Sequence, residues 1–316
     1  MGKLVHVAVG VIYGTDGRIL IAKRPDTVHQ GGLWEFPGGK VDAGETVTQA
    51  LARELREELN IAVLASEPLI QIRHHYVDKS VLLDVHAITD FSGVPCGNEG
   101  QPIQWVNRSQ LYQYEFPAAN RPIISAINLP SCYAISGPLL NESEFLMKAA
   151  RAIDAGAGLL QLRIPNFLPH EHQSLVQRLA DLTLSRKALL QINTSPQLFT
   201  RIQELSPGHI GLHLNRHEAA SLDKRPVGAD ILLGVSCHNE QEIHHAQSIG
   251  ADYLLLSPVK NTSSHPDAIP LGWISFSKLV ELANVPVYAL GGVVAADLPE
   301  ARKHGAQGVA SIREWW

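Results

Sequence analysis

Glu54, Glu57 and Glu58 stand at i, i+3 and i+4 of a stretch with helical periodicity, so their three carboxylates project from one helix face. Like charges this close repel, and a divalent cation relieves the repulsion. Leu51, Leu55 and Leu59 form the opposite, apolar stripe. Just upstream runs Phe36-Pro37-Gly38-Gly39, whose glycines lack the Cβ that would keep backbone amides and carbonyls away from a phosphate or a metal. Glu45 precedes Arg53 by eight residues. An acidic helix face alone reads as solvated surface; loop and helix together describe a Mg²⁺ site for a diphosphate.

The elements that must hold these residues divide into two grammars. A chain of 316 residues is about twice the usual size of a single domain, and two domains are expected, residues 1–130 and 131–316. In the first, strand-like runs at 4–13, 19–22, 81–89 and 103–106 surround one helix over 46–60, an α+β pattern. In the second, eight short apolar runs at 133–136, 159–164, 188–192, 210–214, 231–236, 253–259, 287–292 and 308–312 alternate with helical stretches. Eight nearly equal β/α units favour closure into a (β/α)8 TIM barrel whose last helix is almost absent, over an open doubly wound sheet.

Composition narrows the function classes. With 45% apolar and 18% charged residues the chain reads as an ordinary globular protein, not a disordered or fibrous one. A net charge of -5 argues against a nucleic-acid polymer or an acidic membrane as partner, and no apolar run reaches membrane-span length. Cys96, Cys132 and Cys237 form no CxxC pair, which fits a reducing cytoplasm. The histidines show no HExxH spacing and are expected on the surface.

Residues 39–61, GKVDAGETVTQALARELREELNI, resemble the Nudix box Gx5Ex7REUxEExGU, with Gly39, Glu45, Arg53, Glu54, Leu55, Glu57, Glu58 and Ile61 in register. Asn60 stands where the pattern has Gly, and Asn is the next-best residue for a left-handed helix terminus. WEFPGGKVDAGET, EGQPIQW (99–105) and EFPAANRPII (115–124) extend the resemblance to the MutT type of Nudix hydrolase. That resemblance implies Glu54, Glu57, Glu58, Glu99 and Gly38 as ligands of Mg²⁺, with Mn²⁺ as a substitute, and Arg53, Glu54 and Glu57 as catalytic residues. It implies Arg24, His29, Phe36, Tyr76 and Asn120 as residues near the nucleotide. The implied reaction converts a nucleoside triphosphate, 8-oxo-dGTP being the leading substrate, to the monophosphate and pyrophosphate. From the residues alone, the alternative for Asn120 is a helix cap before Arg121-Pro122, and for Phe36 and Tyr76 a place as core aromatics.

Residues 131–316 resemble the thiamine phosphate synthase and thiazole tautomerase family through LLQLRIPN (159–166), GVSCHN (234–239), GADYLLLSPVKNTSSH (250–265), VYALGGV (287–293) and GAQGVASI (305–312). Gly291, Gly292 and Ser311 match its phosphate-binding positions. Thr194 and Asn215 or Arg216 stand where its metal-holding acids belong, and Pro165 near the place of its lysine. Lys260 and Thr262 match its pyrophosphate clamp in part, and Ser257-Pro258 supplies no tautomerase histidine. Two readings of the barrel stay open: a thiamine phosphate synthase, or a domain that binds a phosphorylated ligand or partner.

Overall fold

The computed structural model describes residues 4–27, 30–75, 80–164, 168–205, 210–262 and 269–316. Its internal contacts divide the chain into Met1–Asn128 and Leu129–Trp316.

The first unit is a mixed sheet between helices. Strands β1 (Leu4–Tyr13), β2 (Ile19–Lys23), β3 (Trp34–Glu35), β4 (Gly38–Lys40), β5 (Ala62–His75), β6 (Ser80–Ser92) and β7 (Ile103–Val106) form it, with helices α1 (Val47–Leu59) and α2 (Arg121–Asn128). The order is β3-β2-β1-β6-β5, with β4 added to β1 and β7 to β2. β1 and β6 are parallel, and the other pairs are antiparallel. Alternation along β1 builds two cores. Ala8 and Ile12 pack with Leu51, Leu55 and Leu59 of α1, whereas Val9 and Val11 pack with Phe36 and with Ile123, Ile124 and Ile127 of α2. A strand covered on both faces is apolar throughout, which is why residues 8–12 are buried without a break.

β5 was not anticipated. It carries Pro68 and irregular alternation, and its pairing with β6 slips between Val63 and Ala65, Ala65 and Ser66, and Pro68 and Ile70. Such bulges on an edge strand accommodate a proline and blur the two-residue period.

The second unit closes as expected. Strands β8 (Cys132–Ile135), β9 (Leu159–Leu162), β10 (Leu189–Asn193), β11 (Ile210–Leu214), β12 (Leu233–Cys237), β13 (Tyr253–Leu256), β14 (Val287–Leu290) and β15 (Gly308–Ser311) form a closed barrel, every neighbouring pair parallel. Helices α3 (Glu142–Asp154), α4 (Pro169–Ser185), α5 (Pro196–Leu205), α6 (Arg216–Ala220), α7 (Glu240–Ser248), α8 (Gly272–Val280) and α9 (Leu298–Lys303) fill the seven connections. Only turns follow β15. The sixth strand stops at Leu256, short of the expected 259, where Pro258 has no N–H to continue the ladder.

The barrel lumen is unusually aromatic and polar. Tyr133, Tyr253 and Tyr288 are fully buried there with Leu159, Leu255 and Ala310. Gln161, Gln191 and His213 are also buried, which corrects the expectation of surface histidines for His213 and, in the first unit, for His86 at 7% exposure. Glycine makes the space: a Cβ on Gly211 would lie 2.1 Å from the Gln191 carboxamide, and one on Gly234 would lie 2.2 Å from the Tyr253 ring. Among the described residues, no helix is long and apolar enough to cross a membrane.

Candidate active site

α1 begins and ends on designed terms. Thr46 caps it, its hydroxyl accepting the Gln49 N–H at 3.2 Å while the Gln49 side chain accepts the Thr46 N–H at 2.8 Å. Asn60 ends it with φ 57 and ψ 35, the left-handed geometry that the Gly-to-Asn departure had to supply.

Along the acidic face Arg53 organises two carboxylates. Its Nε and Nη2 donate to the two oxygens of Glu45, each at 2.9 Å, its Nη1 donates to Glu54 Oε1 at 2.8 Å, and Nη2 also reaches the Lys40 carbonyl at 3.0 Å. This fork is specific to guanidinium. Those bonds, joined by the Asp42 N–H, hold the Glu45 carboxyl at about 2, well below its usual range. Arg53, expected as catalytic, is therefore placed to position Glu45 and Glu54.

Gly38 and Gly39 let the sheet approach the helix. Gly39 sits beneath Glu54, and a Cβ there would fall 2.2 Å from the Glu54 carboxyl carbon. Gly38 has φ +143, and a Cβ would meet the Ala8 carbonyl oxygen at 2.2 Å. Its N–H donates to Glu58 Oε2 at 3.0 Å. Burial pushes the Glu58 carboxyl up to about 8; the Gly38 N–H opposes this, and the charges of Glu35, Glu54 and Glu99 add to it. Glu57 on the same face is exposed, its carboxylate 3.5 Å from Arg53 Nη1.

Glu35 is a fourth acid in this field that sequence reading passed over. It is half-buried, its carboxyl raised by burial against the lowering effect of Arg24, its ion-pair partner. The signal available was its place one residue before Phe36 in WEFPGG. Arg24, expected beside a nucleotide, is thus held by Glu35.

Among the described residues no three His, Cys, Asp or Glu side chains are gathered closely enough to ligate an ion. The reason is visible: Glu54 is held by Arg53, Glu58 by the Gly38 N–H, and Glu57 turns to solvent. The donor set still fits a hard divalent cation. It is all oxygen, burial and the neighbouring carboxylates both raise Glu58, and the Gly39 cradle leaves the Glu54 carboxylate its room.

Of the expected nucleotide residues, Phe36 is 3% exposed and stacks on Phe116 at 5.2 Å, so it is a core aromatic rather than an open wall. Asn120 is half-buried at the end of a 3-10 turn, Ala118–Asn120, directly before α2. It does not cap α2 with its side chain: among the described residues its carboxamide has no hydrogen-bond partner. Its neighbours Ala119 and Ile123 pack in the cluster that holds Phe36. His29 and Tyr76 lie outside the described residues.

In the barrel the expected phosphate positions come close together with little charge. Gly291 (φ 92) and Gly292 (φ 67) approach Pro258 and the Asn261 carbonyl so closely that Cβ atoms would lie 2.8 and 2.4 Å from them. Ser311 is 7% exposed. Lys260 pairs with Asp297 at 2.7 Å. Thr194 is nearly buried, and the Asn215 side chain accepts the His217 and Glu218 N–H groups as a helix cap. Neither position carries a carboxylate, and the described residues do not fit a barrel metal. Pro165 is outside the described residues.

Comparison with known proteins agrees with this division. A NUDIX domain model matches residues 8–126, and a thiamine monophosphate synthase model matches residues 132–314. The first unit is similar to the 8-oxo-dGTP diphosphatase of Escherichia coli (strain K12), 34% identical over 125 residues, 40% of this chain and 97% of that protein. It is also similar to the CTP pyrophosphohydrolase of the same organism, 36% identical over 124 residues, 39% of this chain and 91% of that protein. The second unit is similar to the putative thiamine-phosphate synthase 2 of Aquifex aeolicus (strain VF5), 31% identical over 186 residues, 59% of this chain and 97% of that protein. The chain belongs to the Nudix hydrolases through its first domain and to the thiamine monophosphate synthase family through its second.

Proposed function

We propose that the first domain is a Mg²⁺-dependent nucleoside triphosphate diphosphatase that hydrolyses 8-oxo-dGTP to 8-oxo-dGMP and pyrophosphate, cleansing the cytoplasmic nucleotide pool. The observation that carries the substrate choice is the half-buried Asn120 carboxamide, without a hydrogen-bond partner among the described residues, whose paired donor and acceptor suit the edge of an oxidised guanine. Glu54, Glu57, Glu58, Glu99 and the Gly38 carbonyl would hold Mg²⁺, or Mn²⁺ in its place. When bound, the cation offsets phosphate charge and makes a coordinated water more acidic.

The chain's own residues do the rest. Arg53 keeps the Glu54 carboxylate aimed and Glu45 out of its way. Glu54 or Glu57 takes the proton of the attacking water at a carboxylate oxygen. Asn120 orients the base beside Arg24; the resemblance implies the same neighbourhood for His29 and Tyr76, which lie outside the described residues.

Relatives named for 8-oxo-dGTP and for CTP make substrate preference the decisive test. The purified chain with Mg²⁺ should prefer 8-oxo-dGTP to dGTP and CTP, and Asn120→Ala should cut that preference about 10- to 100-fold, the worth of a two-point amide contact. Equal efficiency on dGTP and 8-oxo-dGTP, or preference for CTP, would defeat the assignment.

For the barrel, the close-packed Gly291-Gly292 turn beside Ser311 favours binding of a phosphorylated ligand over synthesis, since neutral Thr194 and Asn215 are poor Mg²⁺ ligands. Titration with thiamine phosphate, thiazole phosphate and inorganic phosphate separates the readings, and robust thiamine phosphate formation would restore the synthase.

A further inference from the structure

The loop from Cys96 to Gln101 is fastened to the last turn of α1. The Cys96 N–H donates to the Leu59 carbonyl at 3.1 Å, and the Asn98 N–H to the Glu58 carbonyl at 2.9 Å. Two side chains add to this: Asn98 Nδ2 donates to the Glu57 carbonyl at 2.8 Å and Gln101 Nε2 to the Glu58 carbonyl at 2.9 Å. The final carbonyls of a helix have no partners within it, and here the loop supplies them. The same Gln101 turns back on its own loop, its Oε1 accepting the Glu99 N–H at 2.9 Å. Gly97 presses against this turn so closely that a Cβ would lie 1.9 Å from the Gln101 carbonyl oxygen.

We propose that Gln101, assisted by Asn98, is a positioning residue that locks the backbone of Glu99 to the carbonyls of Glu57 and Glu58, holding a loop carboxylate in register with those of the helix for a shared divalent cation. The proposal rests on the reading of Glu99 as a ligand. Glu99 is exposed and lies on a loop, so its carboxylate has no packing of its own to fix it. The bridge needs a donor and an acceptor on separate atoms of one uncharged side-chain tip, which the Gln101 carboxamide provides. A glutamate at this position would lose the bond to Glu58 and add a further negative charge to a crowded field.

The test is Mn²⁺ binding to the nucleotide-free full chain by calorimetry, together with amide exchange over residues 96–101. Gln101→Ala should weaken Mn²⁺ binding about ten-fold, the usual effect of removing a group that orients a ligand, and should speed exchange of the loop. In a Glu99→Gln background the same change should cost nothing further. Asn98→Ala, which breaks only the bond to Glu57, should give a smaller loss with the same dependence on Glu99, and it serves if Gln101→Ala misfolds. An equal loss in the Glu99→Gln background would reduce Gln101 to a general structural role and overturn the proposal, as would full affinity in a loop that exchanges faster. If Glu99→Gln alone leaves affinity unchanged, the ligand reading fails first and the proposal falls with it.

Discussion

His213 makes the stability of the barrel depend on pH in a way that can be isolated. The imidazole is fully buried, Nε2 lying 2.8 Å from Ser236 Oγ and Nδ1 3.3 Å from the Tyr253 hydroxyl, which in turn meets the Tyr133 hydroxyl at 3.0 Å. These hydrogen-bond partners are neutral, and burial pushes the ring down to about 3 from an ordinary 6.5. A base whose folded pKa is depressed stabilises the fold fully above 6.5 and loses that contribution as pH falls toward 3, because the unfolded chain binds the proton first. Between pH 7.5 and pH 5 the loss is about 2 kcal/mol. The assay is urea unfolding of the full chain, read by amide exchange in the peptide covering residues 210–214. His213→Gln keeps a donor and an acceptor but cannot titrate, so its stability should fall by about 2 kcal/mol less than wild type over the same range. Identical pH slopes in the two proteins would refute the reasoning.

Gly39→Ala places a methyl group 2.2 Å from the Glu54 carboxyl carbon. It should weaken Mn²⁺ binding at least about ten-fold and slow hydrolysis in parallel, while exchange over residues 210–214 stays unchanged; normal Mn²⁺ affinity would contradict the cradle. Asn60→Gly should raise the thermal midpoint of the first domain, gaining up to about 1 kcal/mol because glycine occupies φ 57 without a Cβ penalty. A loss of stability would assign the Asn60 side chain a role beyond its backbone geometry.

The acidic helix was legible because its chemistry and its periodicity sit in one contiguous stretch: Leu51, Leu55 and Leu59 mark the buried side and Glu54, Glu57 and Glu58 the other. The barrel was legible for a similar reason, each strand being short, apolar and followed by a helix. What escaped notice depends on contacts across long stretches of chain. β5 was hidden by bulges, Glu35 by having to pair with Arg24 before its burial makes sense, and the Gln101 clamp by joining residues 43 positions apart. For Phe36 two readings stand side by side, near the nucleotide by resemblance or in the core from the residues alone, and only the stacking on Phe116, far along the chain, shows how it packs. The buried His213 was invisible because its partner Tyr253 lies 40 residues away on β13 and reaches it over Gly234 of the strand between.

The two domains handle charge in opposite ways, and that contrast bears on which of them does chemistry. In the first, carboxylates are concentrated: Glu35, Glu54 and Glu99 all raise Glu58, and among the described residues Arg24 answers Glu35, Arg53 answers Glu54 and the Gly38 N–H answers Glu58. Such a field weakens the folded state unless a cation is there to use it, so it is hard to explain as architecture. In the barrel the comparable positions are quiet. Lys260 is matched by Asp297, Asn215 spends its oxygen on a helix cap, and the hydrogen-bond chain from Ser236 through His213, Tyr253 and Tyr133 to Gln161 is neutral throughout. A closed network of this kind gives up nothing when no ligand is bound. The contrast places the cation chemistry of the Nudix domain on α1 and the two loops that flank it.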